Sequence, residues 1–124
     1  MIKYLNQILI LNGISGTNYE FQLYSFNTFT LLGFCKLFKE NDCGVYIFTK
    51  EHYAYKEEEY QHDLIYCGES IDLSTRFYDH HREKDILEVK ATHFGVLFCY
   101  KNQTKSFEKD ILANNDFMLN VMNN

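Results

Sequence analysis

The chain contains no proline, no low-complexity segment and no internal repeat, so nothing in it marks a linker or a repeat array. No apolar run approaches the eighteen or so residues that a membrane span needs. Near the start only Ile8 to Leu11 is continuously apolar, too short for a signal-peptide core, and the cytoplasm is the expected location. Cys35, Cys43, Cys67 and Cys99 are too far apart for a zinc knuckle or a redox motif, so all four read as reduced core or near-core thiols. There is also no Gly-rich phosphate loop, no G-x-S-x-G elbow and no His-x-x-x-His metal pair.

A surplus of positive charge is lacking too. The net charge is −5, which counts against tight non-specific binding to nucleic acid, because phosphate is held by clustered Lys and Arg. The charge is unevenly spread. Residues 40–63 hold seven acids against two basic residues (Lys50 and Lys56), whereas 76–109 hold seven Lys or Arg against five acids. One acidic, solvated side and one mildly basic side are expected.

What remains is globular. At 124 residues and 46% hydrophobic, with ten Tyr and eleven Phe, the chain suits one compact domain with a single core. Ile8 to Leu11 reads as a strand followed by a turn at Asn12-Gly13, and Phe21 to Phe26 as a half-buried strand. Phe29 to Phe38 is closer to helical spacing. Val45 to Thr49 is a β-branched and aromatic strand, and Glu51 to Asp63 a polar connection. Leu64 to Cys67 is the next strand, stopped by Gly68. Ser70 or Asp72 caps a helix carrying Leu73, Phe77, Ile86 and Leu87. Phe94 to Tyr100 is a third strand. Thr104 or Ser106 opens a helix with Phe107, Ile111 and Leu112 inward, broken at Asn114-Asn115-Asp116, and Phe117, Met118, Leu119 and Val121 pack as a short tail. The expected class is α/β (α+β). A small mixed or antiparallel three-stranded sheet is flanked by helices in the order β-β-α-β-α.

A set of polar residues is threaded through these elements: Gly44-Val45-Tyr46, Tyr66-Cys67-Gly68, Arg76, His80, Glu108 and Asn120. Taken singly, each has a bland explanation. A strand tyrosine is usually a core or rim aromatic, an early helix acid answers the dipole, and an Arg with a nearby His usually faces solvent. Arg76 and His80 have the i,i+4 spacing that puts two side chains on one helix face, while His81 and Arg82 rotate to other faces. His52, His62 and His93 are scattered and suggest no site.

Together, these residues resemble the GIY-YIG nuclease family over about residues 42–120. The match lies in G-[IV]-Y, then Y-x-G, an Arg ten residues after the second Tyr, a His or Tyr four after the Arg (here His80), a Glu on the next helix and a later Asn. Residues 42–124 would then be the nuclease domain, and 1–41 an N-terminal extension of strand or helix packed on it. The resemblance implies a DNA endonuclease, stand-alone or dimeric, needing Mg²⁺ or Mn²⁺. Glu108 would be the metal ligand and Arg76 the phosphate clamp. Tyr46 or His80 would be the general base, Tyr66 a hydrogen-bonding partner of water or phosphate, and Gly44, Gly68 and Asn120 supports. Duplex, branched or flapped DNA, a homodimer and no membrane are the partner expectations. Two departures stand out. Cys67 replaces an aliphatic residue, and Glu69 sits where relatives often carry a basic one. The rival expectations are a non-catalytic module of the same shape that binds nucleic acid or protein, and an interaction domain docking through Glu51 to Asp63.

Overall fold

The computed structural model describes residues 2–27 and 31–121. Five strands form one antiparallel sheet: β1 (Ile2–Asn12), β2 (Asn18–Phe26), β3 (Gly44–Ala54), β4 (Glu59–Ser70) and β5 (His93–Phe98), in the spatial order β1-β2-β5-β3-β4. Helices α1 (Leu73–Arg76), α2 (Glu83–Glu88), α3 (Thr104–Asn114) and α4 (Met118–Val121), with a 3-10 helix at Leu32–Leu37, flank it. The mixed α+β class with an antiparallel sheet is as expected, but the sheet has five strands rather than three. The two extra strands are β1 and β2. They belong to the sheet itself, because Gln22 to Ser25 pair with His93 to Val96. No helix among the described residues is long and apolar enough to cross a membrane.

Alternation along β3 divides the core. Tyr46 and Phe48 face one side, with Leu31, Phe34, Leu73, Phe77, Ile86 and Phe94. Val45 and Ile47 face the other, with Leu11, Phe21, Cys67, Ile111 and Phe117. The first side is dense in aromatic rings, with Phe34 stacked on Phe94 at 4.4 Å and Phe77 edge-on to Tyr46 at 5.0 Å. Each such fully buried ring contributes about 1.5–3 kcal/mol through lost apolar exposure. This packing fixes the orientation of Tyr46, which is wholly buried.

Several local expectations change. Residues 51–63 are not an irregular connection. They continue β3 and β4 as a two-stranded ribbon, turning at 55–58 with Glu58 at φ 54°. The ribbon is polar because residues beyond Thr49 have no third strand beside them and face water. Gly68 does not end β4; it pairs with Tyr46 inside the sheet. The helix expected after Asp72 is capped by that residue, whose Oδ1 accepts from the Ser74 N–H at 3.1 Å, but it stops at Arg76. Asp79, at φ 49°, turns the chain before α2 resumes. The helical stretch read at 29–38 is a 3-10 helix in its described part, and residues 28–30 and the Val121 side chain lie outside the described set. α3 ends at Asn114, as its Asn-rich stop signal implied.

Candidate active site

Three of the predicted residues meet at one atom. The Tyr46 hydroxyl accepts a hydrogen bond from the Arg76 Nε–H at 3.1 Å and lies 2.7 Å from His80 Nε2. The shared helix face expected from the spacing of Arg76 and His80 is not what brings them together. Arg76 is the last residue of α1 and His80 lies in the turn beyond it, so they share no helix face. They converge because the chain reverses at Asp79.

The protonation of His80 follows from its other nitrogen. Nδ1 accepts the Arg82 backbone N–H at 3.0 Å, so it must present a lone pair. Burial, then the charges of Arg76, His81 and Arg82, push the imidazole pKa down to about 3. A neutral ring whose Nδ1 is an acceptor carries its single proton on Nε2. His80 therefore donates to Tyr46. The phenol oxygen accepts from two donors, and its own proton is committed to neither. Burial raises the Tyr46 pKa well above the usual phenol value, with Arg76 the largest opposing influence. Arg76 opposes that shift without reversing it, so the resting group is the neutral phenol.

Arg82 was given no role from sequence, yet it fixes this arrangement. Its guanidinium is tied to the Leu119 carbonyl at 3.0 Å and to Asp85 at 3.1 Å, holding the turn that aims His80. A backbone N–H leaves no composition or spacing signal, which is why its part in the site was not legible.

Tyr66 stands beside the cluster, its ring 5.5 Å from His80 and perpendicular to it. Its hydroxyl makes no hydrogen bond among the described residues. Burial, the largest influence, raises its pKa, against Arg76. The two glycines are required by close approach. A Cβ on Gly68 would overlap the Tyr46 phenol, and one on Gly44 would overlap the Leu97 carbonyl oxygen. Gly68→Ala should therefore displace the phenol and destabilise the fold by about 1–3 kcal/mol. Urea unfolding reads the stability, and an unchanged midpoint would contradict this packing. Asn120 acts as a surrogate strand. Its Oδ1 accepts from the Cys67 N–H at 2.8 Å and its Nδ2 donates to the Cys67 carbonyl at 3.0 Å, satisfying the outer edge of β4.

Glu108 arrives from the other face of the sheet. α3 begins at Thr104, so Glu108 sits beyond the first turn and is not explained as a dipole acid. It is half-buried and accepts no hydrogen bond among the described residues. Burial and then the neighbouring Glu69 raise its pKa to about 7, and Arg76 opposes them without closing into an ion pair. Such a carboxylate, desolvated and beside a second acid, is relieved by a cation. Among the described residues no group of three or more His, Cys, Asp or Glu could hold a metal ion. Hard Mg²⁺ or Mn²⁺ keeps waters and takes one or two carboxylates plus phosphate oxygens.

An open cleft of about 1220 Å³ runs past this end of the sheet, between the end of β4, Arg76 and the start of α3. Arg76, Lys101 and Lys105 line it, opposed by Glu69. In a chain of net charge −5, three cations on one cleft are a local inversion of sign. No family model, curated protein or solved structure matches this chain.

Proposed function

We propose that this chain is a divalent-cation-dependent endonuclease that hydrolyses a DNA phosphodiester bond, with Tyr46 as general base. The observation that carries the reading is the buried Tyr46 phenol oxygen, held by hydrogen bonds from both Arg76 and His80, with Arg76 also lining a cleft beside Lys101 and Lys105. The phenol must first lose its proton to solvent, which Arg76 and a cation bound at Glu108 would assist by lowering its raised pKa; the phenolate then takes a proton from the attacking water as the water oxygen bonds to phosphorus. The bond from phosphorus to the 3′ oxygen breaks, leaving a 5′-phosphate and a 3′-hydroxyl that takes its proton from solvent. Arg76 reaches a non-bridging oxygen; its fixed charge and fork geometry suit this better than Lys. Tyr66 offers a free hydroxyl to the water or phosphate. A divalent cation on Glu108 supplies charge neutralisation at the phosphate and the leaving oxygen when bound. His80 is then a positioning residue, since its one lone pair is already used by Arg82.

The test is cutting of labelled duplex, flapped and branched DNA by the wild-type protein and by Arg76→Ala. Loss of cutting by at least about a hundredfold in a variant with an unchanged circular-dichroism spectrum is expected. Cutting at wild-type rate would remove Arg76 from the site. Glu69 in the cleft and the net charge of −5 favour a second reading, a non-catalytic module that binds nucleic acid or protein. That reading predicts a folded protein that cuts none of these substrates.

A further inference from the structure

Tyr100 stands on the wall of the cationic cleft with 78% of its surface exposed. Its backbone is clamped on both sides by one residue. The Tyr100 N–H donates to Gln103 Oε1 at 3.0 Å, and its carbonyl accepts from the Gln103 N–H at 2.8 Å. The ring is thus presented by an ordered turn at the entry to α3. Lys101 follows it directly, Lys105 lies one helical turn on, and Arg76 lines the same cleft.

A cleft built only to hold duplex DNA needs cations and hydrogen-bond donors for the backbone. An exposed aromatic ring among those cations is the combination that holds single strands, with charges tracking phosphates and the ring stacking on a base face. Inside a duplex both faces of every base are already covered. A ring on the same cleft as Arg76 can therefore stack only on a base that is unpaired or terminal.

We propose that Tyr100 stacks on an unpaired nucleobase next to the reactive phosphate, while Lys101 and Lys105 hold the flanking phosphates. The inference rests on the nuclease reading for its placement and names that site's ligand: DNA with an unpaired segment, such as a flap, gap or single strand, in preference to continuous duplex. It also addresses the charge of −5. Long-range attraction to duplex is weak for this chain, and stacking supplies affinity that net charge does not.

The test is fluorescence-anisotropy binding in EDTA, where no metal-dependent cutting occurs. The probes are a labelled single-stranded oligodeoxynucleotide, a blunt duplex of the same length and a strand carrying abasic sites. Wild-type protein, Tyr100→Ala and Tyr100→Phe are compared. The wild type should prefer the single strand to the duplex. Tyr100→Ala should weaken single-strand binding about tenfold to a hundredfold, and Tyr100→Phe should retain it. The abasic strand should bind wild type and Tyr100→Ala equally. Equal loss on all three probes, no loss on any, or no binding at low salt would overturn the proposal. The expected binding pattern without cutting after Mg²⁺ or Mn²⁺ is added would support the stacking site and overturn the nuclease. Metal-dependent cutting that ignores Tyr100 and unpaired bases would do the reverse.

Discussion

Tyr46→Phe should lower the cleavage rate by about 10² to 10⁴, the usual contribution of a positioned general base, while His80→Gln should retain most of it. The two substitutions separate roles that the sequence left open. Removing one oxygen from Tyr46 leaves the buried ring and its contacts with Phe77 and Phe94 in place, so the fold should survive. At residue 80, glutamine keeps an N–H able to donate to the phenol but removes the titrating ring. If His80 were the base, glutamine would be as damaging as phenylalanine at 46. The hydrogen bond from Arg82 to Nδ1 argues against that, since protonating Nδ1 would break it and place a second charge beside Arg76. Single-turnover rates for both variants, measured beside unfolding curves, check the assignment. Equal losses, or a larger loss at His80, would transfer the base role to the imidazole.

Glu108→Gln should abolish cutting and yet stabilise the protein at alkaline pH. The folded-state pKa of Glu108 is raised from 4.5 to about 7 by burial first and Glu69 second. A raised carboxyl contributes stability that is fully present below the unfolded pKa and is lost as pH rises through the folded one. Between about pH 4.5 and 7, therefore, ionising Glu108 costs the native protein stability. Glutamine cannot ionise. Once solvent screening of a part-exposed group is discounted, the variant should exceed the wild type by about 1–2 kcal/mol at pH 8 and match it at pH 4. Added Mg²⁺ or Mn²⁺ should raise the melting temperature of the wild type at pH 8 and leave Glu108→Gln unmoved. Chemical unfolding at the two pH values and melting with and without the cation read these effects. A variant less stable than wild type at pH 8, or stabilised equally by the cation, would contradict the role given to this carboxylate.

The central strands and the spacing of polar residues were legible because alternation and short intervals survive in one dimension. Val45 to Thr49 and Leu64 to Cys67 are strands, and Asp72 caps the helix it was expected to cap. Long-range choices were not legible. Nothing in Phe21 to Phe26 says that it pairs with His93 to Val96, and that pairing brings the leader into the sheet. The ribbon at 50–63 looks like a loop by composition, because a two-stranded projection leaves both faces to water. The meeting of Arg76 with His80 came from a turn at Asp79 that no helix pattern foretells. The tautomer of His80 depends on a backbone N–H, and Lys101 and Lys105 lie 25 and 29 residues from Arg76 in sequence but line the same cleft.

One measurement bears most directly on the claim that these residues form a nuclease. Doubly end-labelled flapped DNA is incubated with the purified protein in Mg²⁺, in Mn²⁺ and after metal removal, and the new ends are identified by ligation and phosphatase treatment. Cutting is expected only with metal, leaving 5′-phosphate and 3′-hydroxyl ends. Folded protein that leaves the strand intact under every condition, or cuts equally without metal, would contradict it.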